Sequence, residues 1–172
     1  ITRADRVVFP GQGAARDCMK EIRDRQLTEV IIQAAREKPF LGICMGAQVL
    51  LSHSEENQGV DCLDLYPGEV RFFGEHLVDA NGEKLKIPHM GWNRMFTAEH
   101  PLFEGMDQEH YLYFVHSYHA QCQNKSNIIG ETEYGYRFTS AVQNYNILWI
   151  QPHPEKSHKN GLAILKNFIN LH

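Results

Sequence analysis

Apolar residues in the first third of the chain fall into short unbroken runs and stripes at helical spacing. The run Phe40-Leu41-Gly42-Ile43 predicts a strand covered on both faces, and Met45 to Leu51 predicts the start of a helix. Cys44 therefore falls at a strand-to-helix turn, bracketed by Gly42 and Gly46. Upstream, Arg6 to Phe9 reads as a strand that ends in the turn cluster Pro10-Gly11-Gln12-Gly13-Ala14, followed by an amphipathic segment from Ala15 to about Arg25. Val30, Ile31, Ala34 and Ala35 form the stripe of a further helix, which Thr28 can cap and Pro39 stops. The order strand, helix, helix, strand, helix predicts an α/β fold with parallel strands joined by right-handed crossovers. Ligands in such sheets collect at the carboxyl ends of the strands, where both the Gly11–Gly13 loop and Cys44 lie.

After Ser54-Glu55-Glu56-Asn57 the pattern shortens. Glu69 to Phe73, Lys86 to Pro88, Asn93 to Phe96 and Tyr111 to Val115 read as strands. Phe138 to Gln143 and Ile147 to Gln151 form a hairpin around Asn144-Tyr145-Asn146. A closing helix from about Lys159 places Leu162, Leu165, Phe168 and Ile169 toward a core. With no repeat, low-complexity run or linker, the 172 residues predict a single domain, 1–172.

Composition narrows the chemistry. A net charge of -4 with scattered lysines and arginines gives no footprint for nucleic acid. No apolar run is long enough to span a bilayer and no signal peptide is visible, which points to the cytoplasm and away from a membrane partner. The four cysteines are far apart, as expected of reduced thiols rather than a zinc ribbon or disulfide scaffold. His116 and His119 sit three apart on a strand-like run, a spacing that sends side chains to opposite faces, so no metal site is expected.

A thiol at a helix N-terminus is favoured as thiolate by unpaired N–H groups and the helix dipole, although Cys44 can equally be a small buried hydrophobe. A nucleophile needs a base, and the base an orienting acceptor. Gln151-Pro152-His153-Pro154-Glu155 offers both just past a strand, with His153 and Glu155 on one face if the segment is extended. A His-x-Glu pair alone is also an ordinary surface pair.

Together, Gly42-Ile43-Cys44-Met45-Gly46-Ala47-Gln48 and the distant His153-Pro154-Glu155 resemble the class I, triad-type glutamine amidotransferases. Pro88-His89-Met90-Gly91-Trp92-Asn93 and Tyr113 to Tyr118 are similar to the glutaminase subunits of imidazole glycerol phosphate synthases within that family. The resemblance implies a flavodoxin-like fold, a mixed and mostly parallel central sheet flanked by helices. It also implies a preceding strand and Gly-Asn loop, so the chain is expected to be N-terminally truncated. Cys44 would be the nucleophile, His153 the acid and base, and Glu155 its orienting partner. Backbone N–H groups of Met45 and the Gly11-Gln12-Gly13 loop would hold the oxyanion, where one lost donor costs about 3 kcal/mol. Gly11, Gln48, Glu56, His116, Ser117 and Tyr118 would bind L-glutamine, and Lys156 and Trp92 would face a cyclase subunit in a heterodimer. No cofactor is implied. Gln12 stands where the family usually has valine, and Pro152, which lacks a backbone donor, where it usually has an aromatic residue. A glutaminase of another pathway and an idle partner-binding remnant are the alternative readings.

Overall fold

The computed structural model describes residues 1–171. The core of the site rests on three parallel strands. β1 (Val7–Gly11) pairs with β2 (Phe40–Cys44), and β2 pairs on its other side with the last strand, Ile147–Ile150. Helix α1 (Ala15–Asp24) and helix α2 (Thr28–Glu37) connect the first two strands. Every residue of β2 is buried, because Phe40 packs with Met19, Ile31 and Ala34 of the helices while Leu41 and Ile43 face a second core on the opposite side. Lys38 is extended, as a residue before proline must be, and this ends α2.

Helix α3 (Met45–Gln48) follows β2 directly, and a short pair, β3 (His53–Ser54) and β4 (Val60–Asp61), leads to β5 (Gly68–Phe72). Next come β6 (His89–Thr97), β7 (Tyr111–His116), β8 (Tyr118–Cys122), β9 (Ile128–Tyr134), β10 (Tyr136–Asn144), β11 (Ile147–Ile150) and α4 (His158–Asn170). Among the described residues the sheet runs β1-β2-β11-β10-β8-β5-β3-β4, with β9 on β10, β6 on β9 and β7 on β6. This is the expected mixed α/β sheet flanked by helices. Parallel pairing is confined to β1–β2, β2–β11 and β3–β5, and the other pairs are antiparallel, so "mostly parallel" describes only the neighbourhood of Cys44.

Several local expectations are corrected. Thr28 is the first residue of α2 and makes no cap; Leu27 precedes it without a side-chain bond. Lys86 to Pro88 is not a strand; the strand begins at His89, pairs with His116 on β7, and carries the Asn93–Phe96 stretch within it. On α4, Ile164 and Phe168 are buried with Leu165 against them, whereas Leu162 and Ile169 are 66% and 63% exposed. The inward stripe is displaced because Gly161 faces the turn before the helix, where an added Cβ would lie 1.8 Å from the Pro154 carbonyl oxygen. His116 and His119 are not sent to opposite sides: the chain breaks at Ser117 between β7 and β8, and both rings pack on Phe73, at centroid distances of 5.1 and 4.8 Å.

Candidate active site

The turn from β2 to α3 is tighter than a strand-helix junction ordinarily allows. Cys44 takes φ 53°, ψ −115°, a conformation rare for a residue with a Cβ. The flanking glycines act by close approach: a Cβ on Gly46 would lie 2.0 Å from the Phe9 carbonyl oxygen, and one on Gly42 would lie 2.9 Å from the Ala47 Cα. The strained residue is the cysteine itself, held by β1 on one side and α3 on the other.

Cys44 opens onto a cavity of about 290 Å3. It is lined by Gln12, Gly13 and Met45 near the turn, by Gln48 and Glu56, by His116, Ser117 and Tyr118, and by His153 and Lys156. Pro88 and Val115 complete the lining. Gly11 is not in this wall; it lines a separate pocket with Ile43, His153 and Glu155, and its lack of a Cβ leaves room for the Gly46 nitrogen, which an added Cβ would meet at 2.7 Å. Trp92 lies outside both pockets, 46% exposed and stacked on His158.

Burial, not the helix terminus, governs the thiol. α3 has only four residues, and desolvation pushes the Cys44 thiol up to about 11. The N–H of Met45 pulls the other way, the Glu155 carboxylate raises it further, and the Gln151 amide, 3.6 Å from Sγ, and the Lys156 charge oppose the rise. The thiol therefore rests protonated at neutral pH, and the expected dipole-stabilised thiolate is corrected. A proton acceptor stands in the same wall. His153 is buried, its Nδ1 lies 2.7 Å from Glu155 Oε1, and its Nε2 is buried without a hydrogen-bond partner among the described residues. A carboxylate only accepts, so Nδ1 carries a proton, and Nε2 is the ring nitrogen left for proton transfer. The segment is not extended as expected: Pro154–Lys156 forms a 3-10 turn, and Glu155 reaches back within it.

The backbone that carries the His153 ring is fixed despite the missing donor at Pro152. The His153 N–H donates to the Tyr113 carbonyl (2.8 Å), and its own carbonyl accepts from Ser157 Oγ (2.6 Å), which in turn accepts the Tyr113 N–H (2.9 Å). Glu56 uses Oε2 to accept the Ala15 N–H at the start of α1 (2.8 Å), supplying the cap that Ala14 cannot. His116 commits Nδ1 to the Tyr118 carbonyl (2.7 Å) and Nε2 to His89 (2.9 Å), and its burial holds its pKa down at about 3.

A family model described as "Glutamine amidotransferase class-I" matches residues 3–171. The chain belongs to this family. It is 56% identical over 165 residues to the imidazole glycerol phosphate synthase subunit HisH of Sulfurimonas denitrificans, covering 95% of this chain and 78% of that protein. It is 52% identical over 172 residues to the HisH subunit of Hydrogenovibrio crunogenus, covering 99% and 78%. Among solved structures, a putative GMP synthase subunit from Thermoplasma acidophilum superposes with a TM-score of 0.68 at 18% identity, covering 98% of this chain and 72% of that one. A glutamine amidotransferase of Thermotoga maritima gives 0.59 at 16%, covering 99% and 64%, a likeness of fold.

Two residues of this amidotransferase site escaped sequence reasoning. Gln151 touches the thiol and Ser157 braces the base, yet each is an unremarkable polar residue flanking the His-Pro-Glu stretch. The usable signal was position: a glutamine at the end of an apolar strand is buried with it.

Proposed function

We propose that this chain is the glutaminase subunit of an imidazole glycerol phosphate synthase. In this reading residues 1–172 form one glutaminase domain in the cytoplasm, hydrolyse L-glutamine to glutamate and ammonia, and pass the ammonia to a cyclase subunit in histidine biosynthesis. The observation that carries it is the unpartnered, buried Nε2 of His153, backed by Glu155 and sharing a cavity wall with the protonated thiol of Cys44. Identity above 50% to HisH subunits over nearly the whole chain supports this member of the family.

Glutamine enters with its carboxamide toward Cys44. As Sγ bonds to the carboxamide carbon, the thiol proton passes to His153 Nε2, and the Glu155 carboxylate stabilises the imidazolium. His153 then returns that proton to the departing nitrogen, the C–N bond breaks and ammonia leaves a glutamyl thioester. Water, deprotonated by His153, attacks the thioester carbon; the C–S bond breaks and the thiolate takes the proton back. The amides of Met45 and the Gln12–Gly13 loop, both in the cavity wall, are the donors for the two oxyanions. Glu56 offers a carboxylate to the α-ammonium, and Ser117 and Tyr118 offer donors to the α-carboxylate. Gln48 spends its amide nitrogen on Tyr118 and Gln151, which leaves its carbonyl oxygen for the substrate.

The partner would cover the outer face of β6 and β7. Met90, Trp92 and Tyr111 are 62%, 46% and 42% exposed there, next to Lys156, whose ammonium lies 5.7 Å from the centre of the Tyr113 ring. Such a patch of aromatic and methionine side chains at a cavity mouth suits a heterodimer contact. The test is glutamate release from glutamine with and without the cyclase subunit of an imidazole glycerol phosphate synthase. A rate that rises with added partner and saturates at one partner per chain is expected; a rate indifferent to it rejects this assignment.

A further inference from the structure

The polar side chains behind the cavity form one continuous line whose every donor direction can be assigned. It starts on the partner-facing strand β6, where Asn93 Nδ2 donates to the Glu133 carbonyl (2.9 Å) and to His89 Nε2 (3.1 Å). The fixed point is the Tyr118 carbonyl, which only accepts, so the His116 nitrogen 2.7 Å away, Nδ1, bears the proton. His116 is then an acceptor at Nε2, and His89 Nδ1, 2.9 Å away, must be the donor. That leaves His89 Nε2 as the acceptor from Asn93, in agreement with the start of the line. The same Tyr118 carbonyl accepts from Gln48 Nε2 (3.0 Å). Gln48 Nε2 also donates to Gln151 Oε1 (2.8 Å), which turns the Gln151 amide nitrogen toward Cys44 Sγ at 3.6 Å.

We propose that Gln151 is a positioning residue that directs an N–H at the Cys44 sulfur, and that its orientation is held from the β6 face through Gln48, the Tyr118 carbonyl, His116, His89 and Asn93. The line has one consistent polarity, so a break in it removes the reason for the next group to keep its orientation. If His89 no longer donates, His116 is free to move its proton to Nε2, and two acceptors then meet at the Tyr118 carbonyl. That carbonyl turns away, Gln48 loses one of its two acceptors, and the Gln151 amide is no longer forced to present nitrogen to sulfur. A neutral His116 is needed throughout, and the surroundings keep it so: its ring is buried against Phe73, Phe114 and Phe138, and the imidazoles of His89, His119 and His153 disfavour its protonation.

This inference deepens the glutaminase reading, and its test does not depend on that reading. The rate of Cys44 alkylation by iodoacetamide is measured at the peptide level in the intact chain, with Cys18 as the internal ruler of folding. Gln151→Leu is expected to slow Cys44 alkylation about tenfold at neutral pH, one pKa unit of lost thiolate stabilisation, with Cys18 unchanged. His89→Phe, which keeps an aromatic ring between Tyr134 and Phe114, and Asn93→Ala, at a half-buried position, are expected to slow it about threefold. Glutamate release in the complex should lose kcat by similar factors with KM little altered. Should His89→Phe unfold the chain, seen as faster Cys18 alkylation, Asn93→Ala decides the matter. Wild-type alkylation rates at Cys44 in the folded His89 and Asn93 variants would overturn the line, whether or not the chain proves to be a glutaminase.

Discussion

Acidification from pH 7 to pH 5 should cost this protein at least about 4 kcal/mol of stability, a floor set by two buried histidines, to which the buried His119, whose pKa burial also lowers, adds. His89 and His116 are 3% and 6% exposed, pack among Phe73, Phe114, Phe138 and Tyr134, and donate to or accept from neutral groups only. Burial lowers their folded pKa values to about 4 and about 3 from 6.5. A histidine held neutral in the folded state takes up its proton on unfolding, so stability falls as pH drops below 6.5 and levels off only near the folded values. At about 1.36 kcal/mol per unit, the stretch from about 6.5 to about 5 costs about 2 kcal/mol for each ring. Asp107, whose carboxyl is held down by Asn160, begins to contribute only below its ordinary 3.8, outside this window. Urea denaturation followed by circular dichroism reads the effect directly. With a slope of about 2 kcal/mol per molar, the midpoint should drop by at least about 2 M between pH 7 and pH 5. In His89→Phe the drop should be smaller by about 1 M. A midpoint that does not move, or a full drop in His89→Phe, would refute the assignment of both rings as neutral.

Gly46→Ala puts a Cβ 2.0 Å from the Phe9 oxygen, with the β1 backbone directly in its way, and should cost about 3 kcal/mol or more in a denaturation experiment; a variant as stable as wild type would deny the tight contact between β1 and α3. Ser157→Ala strands the Tyr113 N–H and leaves the His153 carbonyl only the Lys156 N–H, so it should lose about 1–3 kcal/mol of stability and lower kcat more than it raises KM; unchanged kcat would mean that Ser157 does not hold the base. Trp92→Ala should weaken binding to the cyclase subunit by about tenfold or more, measured by calorimetry, while leaving the stability of the free chain within about 0.5 kcal/mol; undiminished affinity would move the interface elsewhere.

The parts of the site that lie close together in sequence were readable from it. Phe40 to Gln48 dictates a buried strand and a sharp turn, and the apolar run at Ile147 to Ile150 carries His153 to the same edge of the sheet. What sequence could not supply was burial at the turn. The dipole argument for a ready thiolate assumed a longer helix and an exposed sulfur, and the chain has a four-residue helix and a sulfur whose desolvation outweighs it. Nor could strand periodicity foresee the break at Ser117, which brings His116 and His119 onto one aromatic ring. The stripe on α4 failed for a similar reason: Leu162 and Ile169 have helical spacing, but the close contact at Gly161 fixes which face turns inward. The hydrogen-bonded line from Asn93 to Gln151 joins β6, β7, α3 and the segment after β11, so no spacing rule connects its ends.

The most direct measurement of the central assignment is glutamate release by Cys44→Ala beside the unaltered chain, each saturated with the cyclase subunit. Loss of release to background, with complex formation intact, is the expected result. Release that survives without the thiol would contradict Cys44 as the nucleophile.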